Sequence, residues 1–197
     1  MRDVIGTTRV VVHVYAPDME PRAAVELITA AIPRGLQTWV DLGAGEGTFT
    51  RALAAILKSG SRIYAVDHDA RAVVALERWA ARATLEVIPV RADFSKPFTL
   101  PGLAKPSLDG VLLANALHFA TDASEVLSRL AGWLAPGGRV VLVEYNRRAA
   151  SRWVPHPVPL ERFESLARDA GLEPPRLVAT RPSAYGGELY AAVAVRG

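Results

Sequence analysis

Between Thr38 and Tyr145 the chain alternates short runs of β-branched and apolar residues with segments of helical periodicity. That alternation admits few folds, because strand–helix–strand units pack into a parallel sheet with helices on its faces. Thr38–Leu42, Arg62–Val66, Leu85–Val90, Leu108–Ala114 and Arg139–Tyr145 read as the strands. Helices are expected over 20–32, 48–57, 70–83, 123–134 and 160–170. In the first of these Val25, Ile28 and Ile32 fall at helical spacing, and Pro33 and Gly35 stop it. Asp122 stands where an N-cap is needed, and Pro136-Gly137-Gly138 reads as a turn before the fifth strand. Arg176–Thr180 and Glu188–Val195 are two further strands joined by a short link, so the last should run antiparallel to its neighbour. Arg9–Tyr15 is also extended in character. Ser95–Ser107 and Asn146–Pro159 each hold three prolines and read as loops.

The 197 residues carry no break in composition, and a single domain over 1–197 is the expectation. Half of the residues are apolar, enough for one substantial core, and none is cysteine, which removes disulfides, thiolate metal sites and cysteine nucleophiles. The four histidines form no H-x-x-x-H pair, so no metal site is expected. Met1–Gly6 does not read as a signal peptide. The most apolar stretch, Val111–Ala120, is too short to span a bilayer, and a cytoplasmic protein without a membrane partner is expected. The net charge of +3 comes without a run of five or six basic residues, so a nucleic-acid partner is not expected.

Val40-Asp41-Leu42-Gly43-Ala44-Gly45-Glu46-Gly47-Thr48 follows a strand and opens a helix. Glycines at alternate positions let the backbone turn sharply and come close to a bulky ligand, at the end of the strand where open α/β sheets bind theirs. Such a turn can also be a bare strand-to-helix connection. Two features favour a ligand of a particular kind. Asp67, at the end of the next strand, is placed to accept both hydroxyl hydrogens of a ribose. The glycine spacing is wrong for a dinucleotide, since the sixth position from Gly43 is Thr48. Asp41 adds a negative charge that opposes a diphosphate and suits a cationic ammonium or sulfonium.

The segment resembles motif I of the class I S-adenosylmethionine (SAM)-dependent methyltransferases, an acidic residue followed by G-x-G-x-G, with Asp41, Gly43, Gly45 and Gly47 matching by position. The resemblance runs from about Tyr15 to Val195. It implies a Rossmann-like α/β fold: a seven-stranded, mostly parallel sheet with an antiparallel C-terminal hairpin strand and helices on both faces. It implies SAM as cofactor, bound by the turn residues with Ala44 among them, by Asp67 and its neighbour His68 at the ribose, and by Asp93 and Phe94 at the adenine. Asn115 and Ala116, in Leu113–Phe119, would pass under the methionine part. Residues 1–35 would form a lid segment with Tyr15 over the cofactor, and 36–197 the core.

Methyl transfer is an in-line displacement, so positioning dominates and a general base is needed only if the acceptor loses a proton early. His118, after the fourth strand, is the best candidate base, with packing as its other reading. Glu144 and Tyr145, ending the fifth strand, are candidates to face the acceptor. Arg147, Arg148 and Arg152 follow on the acceptor side and suit an anion, or else form a solvated loop, and Trp153 and His156 are placed to wall the site. A small-molecule acceptor methylated on oxygen or carbon is the leading expectation, since the N-P-P-Y type motif of amino-methylating enzymes is absent. RNA or protein methylation and SAM binding without catalysis stay open, as does a homodimer whose partner completes the site.

Overall fold

The computed structural model describes residues 19–103, 107–183 and 186–197. The apolar runs form seven strands: β1 (Thr38–Leu42), β2 (Arg62–Asp67), β3 (Glu86–Arg91), β4 (Leu108–Ala114), β5 (Leu134–Tyr145), β6 (Arg176–Pro182) and β7 (Glu188–Val195). The helices among the described residues are α1 (Pro21–Ile28), α2 (Thr48–Ile56), α3 (Ala70–Ala80), α4 (Ala123–Ala131) and α5 (Leu160–Asp169). One sheet holds all seven strands in the order β3-β2-β1-β4-β5-β7-β6. β1 to β5 pair in parallel, and β7 runs antiparallel between β5 and β6. This is the Rossmann-like arrangement that the resemblance implies.

Alternation along the strands divides the core into two layers. Val40, Leu42, Val111, Leu113, Val140 and Leu142 pack under α4 and α5. Trp39, Ile63, Leu112, Val141 and Val193 pack against α1 and α2, and Ala65 against Leu76 of α3. Helices thus cover both faces. Gly110 leaves room for the fully buried Trp39 ring, which a side chain on β4 at that point would overlap. The Trp39 indole N–H donates to Gln37 Oε1 at 2.6 Å, so its polar edge is satisfied as well.

Several boundaries differ from those expected: α1 ends at Ile28 and passes into a 3-10 turn, Thr29–Ala31, and α3 ends at Ala80 rather than at 83. The helix over 123–134 ends at Ala131, and Leu134 pairs with Leu108 instead. Pro136-Gly137-Gly138 is not a turn ahead of the strand but an irregularity inside β5, where the pairing with β4 shifts between Leu108 and Gly110. Gly137 takes φ +77°, which a side chain resists. The cap at Asp122 forms as expected, its side chain accepting the Glu125 N–H at 2.9 Å. Arg9–Tyr15 lies outside the described residues. Among the described residues no helix is long and apolar enough to cross a membrane.

Candidate active site

β1 delivers its chain to the glycine turn at the carboxyl edge of the sheet. The Gly43 and Ala44 N–H groups both donate to Val66 O, at 2.9 and 3.0 Å, which anchors the turn to β2. Gly43, Gly45 and Gly47 have φ of +70°, +53° and +92°. A Cβ on Gly43 would stand 2.7 Å from the Ala116 Cβ, and one on Gly47 2.7 Å from a Leu76 methyl. A Cβ on Gly45 would meet nothing within 4 Å. Gly43 and Gly47 therefore serve packing, whereas Gly45 borders open space, the cradle that a bound ligand needs.

Asp67, at the end of β2, is buried beside that cradle. One carboxylate oxygen accepts the Gly45 N–H and the other the Asp69 N–H, each at 2.8 Å. His68 lies exposed, its Nδ1 3.4 Å from Asp67. Asp41 is buried at the base of the turn, accepting the Thr50 hydroxyl at 2.7 Å. Burial pushes its carboxyl up to about 7; the Thr50 hydrogen bond opposes the shift and the charge of Asp67 adds to it. A cation in the cradle would favour the ionised form of Asp41.

The shift of Asp41 carries a sign. Its unfolded carboxyl ionises near 4 and its folded one near 7, so the unfolded chain holds fewer protons between those values. Stability of the ligand-free protein should fall as pH rises through that window and gain no further penalty from Asp41 above it. Urea midpoints at about pH 5 and about pH 7.5 should draw together in Asp41→Asn. A variant that keeps the parent's full difference would show that Asp41 is not its source.

Phe94 lines the Gly43 side of the turn, its ring 3.5 Å from a Cβ built there. Asp93 is engaged within its own loop: Oδ1 accepts the Ser95 N–H and hydroxyl, and Lys96 lies 3.0 Å from Oδ2. These contacts, led by the Ser95 hydroxyl, hold its carboxyl down at about 2. Asn115 takes φ +52°, left-handed although it is not glycine. Its backbone N–H donates to Val143 O at 2.8 Å, and its Oδ1 is buried without a hydrogen-bond partner. A left-handed backbone and an orphaned acceptor coincide at the end of β4, beside the glycine turn, and a ligand donor there would satisfy the Asn115 oxygen.

The chain then makes a single 3-10 turn, Leu117–Phe119, which brings His118 back over the end of β5. Glu144 meets it there. Its carboxylate accepts the His118 backbone N–H at 3.2 Å and faces Nδ1 at 2.8 and 3.0 Å through its two oxygens. His118 is 2% and Glu144 0% exposed. A carboxylate only accepts, so this contact selects the imidazole tautomer with its proton on Nδ1 and Nε2 as the acceptor. Glu144 faces His118 rather than open space. Tyr190 lies opposite Glu144 across β5 and β7, and its hydroxyl donates to Val158 O at 2.7 Å. Burial and the charge of Glu144 push that phenol up.

The Tyr145 ring lies 6.4 Å from that of His118, with the Arg148 guanidinium 4.5 Å above it. The 146–159 segment is pinned to the same turn by the His156 N–H, which donates to His118 O at 3.0 Å. Arg147 and Trp153 are exposed on this segment, and Arg152 stacks over the Trp153 ring at 4.4 Å. Tyr15 lies outside the described residues. Thr50 and Tyr190, which hold Asp41 and flank Glu144, had no motif to mark them. Both sit on elements facing a buried carboxylate, the only signal the sequence offered. Among the described residues no group of three or more His, Asp or Glu is placed to hold a metal.

The sheet order, with β7 antiparallel between β5 and β6, and the glycine turn after β1 define an α/β protein of the methyltransferase type. Residues 40–140 match the family described as "Methyltransferase domain", and the chain belongs to that family. An uncharacterised methyltransferase of Mycobacterium tuberculosis is 31% identical over 119 residues, covering 60% of this chain and 56% of the relative. The chain thus spans about half the length of the curated relatives it matches. Among solved structures, a SAM-dependent methyltransferase from Aquifex aeolicus superposes with a TM-score of 0.68 at 15% identity, over 91% of this chain and all of the other. The Burkholderia thailandensis 1,6-didemethyltoxoflavin N1-methyltransferase, solved with its acceptor and S-adenosylhomocysteine, gives 0.69 at 20% identity, over 89% of this chain and 77% of the other.

Proposed function

We propose that this chain transfers a methyl group from SAM to a small-molecule acceptor, on oxygen or on carbon. The observation that carries the reading is the buried His118–Glu144 pair at the carboxyl ends of β4 and β5, beside a glycine cradle with open space over Gly45. The cradle suits the cofactor: Asp67 would hold the ribose, Asn115 Oδ1 offers a buried acceptor for its ammonium, and Asp41 supplies a compensating charge. When bound, SAM supplies a methyl group already activated by a positively charged sulfur.

The protein's share is then orientation and one proton. Glu144 fixes the His118 ring in one tautomer through Nδ1, and the backbone N–H bond keeps the 3-10 turn from rotating away. Nε2 removes a proton from an acidic O–H or C–H of the acceptor as the methyl moves, and later releases it to solvent. The neighbour from Burkholderia is named for methylation of 1,6-didemethyltoxoflavin at N1, which supports a small-molecule acceptor rather than a particular acceptor atom. One domain over the whole chain, in the cytoplasm, fits this reading.

The test is transfer of radiolabelled methyl from SAM into a fractionated cell extract. Label should enter an organic-soluble fraction that resists nuclease and protease. Label released by either enzyme would move the reading to RNA or protein, and no incorporation would favour binding without catalysis.

A further inference from the structure

The loop after β5 is unusual in charge. From Asn146 to Pro159 it carries Arg147, Arg148 and Arg152 and no carboxylate. Among the described residues no ion pair includes Arg147 or Arg152. The loop is nevertheless built rather than loose. The His156 N–H bonds to His118 O, Ser151 and Val154 bridge each other, and the Leu160 N–H reaches Asn146 Oδ1 at 3.4 Å. Arg148 is held over Tyr145, one ring away from His118. The Phe119 ring lies 4.3 Å from that of His118, centroid to centroid, and is 55% exposed, an apolar plate next to the imidazole. Like charges gathered on an ordered loop repel one another unless an anion joins them. Arginine binds carboxylate and phosphate through paired N–H bonds.

We infer that the acceptor is a small organic anion: a flat, unsaturated body lying against Phe119, with an acidic O–H or C–H at His118 and a carboxylate or phosphate held by the arginines of residues 147–152. This rests on the methyl-transfer reading and adds the class of acceptor to it. The body must be conjugated for the proton to be acidic enough for an imidazole to remove, so the plate and the base select the same chemistry. The anion need not take part in the reaction. It fixes where the acceptor lies between the 147–152 segment and His118, and so the direction from which its reacting atom meets the methyl.

Binding of 2-naphthoate, 2-naphthyl phosphate and the neutral 2-naphthamide to the full chain, followed by calorimetry, tests this without any turnover. At least one anion should bind about tenfold more tightly than the amide or better, and which one does separates a carboxylate from a phosphate acceptor. The preference should vanish in Arg147→Gln/Arg152→Gln and survive in Arg62→Gln, which alters an exposed arginine paired with Glu86 on the far side of the sheet. Equal binding of all three probes, binding of none, or a preference that survives the double substitution would overturn the inference. A single-stranded RNA hexamer that displaces the anion would overturn it in favour of a nucleic-acid backbone. S-adenosylhomocysteine is titrated alongside. A chain that binds it and ignores the anions keeps the methyl-transfer reading and loses only this one, whereas a chain that fails to bind it loses the reading beneath.

Discussion

His118→Gln should lower kcat by about 10²- to 10⁴-fold while the affinity for S-adenosylhomocysteine stays at the parent value. Glu144→Gln should follow it closely. The carboxylate now accepts two N–H groups of His118, and an amide presents only one oxygen to them and adds donors of its own. The ring then loses its fixed tautomer, and a base with its proton on the wrong nitrogen is a poor one. The two substitutions should therefore be far from additive in the double variant. A structural role for the pair would move the urea midpoint, and the pH profile would stay as it was. A catalytic role removes the acid limb of the profile in His118→Gln. If kcat holds in both variants, the acceptor needs no base and the pair serves only to dock the 3-10 turn.

The second large effect separates two glycines that look alike in sequence. In Gly43→Ala the new methyl meets the Ala116 Cβ, which is fixed to backbone, in a left-handed residue. Overlap and backbone strain together should cost about 2–4 kcal/mol of stability. Gly45→Ala bears only the left-handed penalty, about 1 kcal/mol, since nothing stands near its Cβ. That methyl would occupy the cradle instead, and affinity for S-adenosylhomocysteine should fall by about tenfold or more. Denaturant midpoints and calorimetry on the two variants measure both quantities. Unchanged affinity in Gly45→Ala would move the cofactor away from this turn.

Thr38–Leu42, Leu108–Ala114 and Glu188–Val195 form strands with the ends their sequences suggest, because buried apolar runs bounded by turn residues leave little choice of register. The end of α4 was hidden for the opposite reason. Leu127, Leu130 and Leu134 keep helical spacing past the point where the helix stops, and Leu134 is claimed by its pairing with Leu108. The fate of Gly137 and Gly138 depends on Arg196, whose backbone exchanges hydrogen bonds with both from beyond β7. No local pattern encodes that contact. In the site, the glycine turn and its acidic residues were legible because each is a local solution to backbone approach or charge. His118 and Glu144 were legible singly and not as a pair. Their meeting needs β4 and β5 adjacent and a turn that folds His118 back. Asn115 could be placed at the site, but not its left-handed backbone, which tertiary contacts impose.

The position of β7 bears on how the protein is made. The strand synthesised last of the seven enters between β5 and β6 rather than at a rim. Until Glu188–Val195 leaves the ribosome, β5 has a free hydrogen-bonding edge and β6 has no neighbour at all. Seven residue pairs between β5 and β7 form only then, across the loop, α5 and β6 that separate them in the chain. Such late, distant pairing is slow, and a bare edge as apolar as Val140–Val143 invites association with other nascent chains. The half of the sheet that carries the glycine turn can assemble early, but Glu144 stays on an open margin until the final strand pairs with β5.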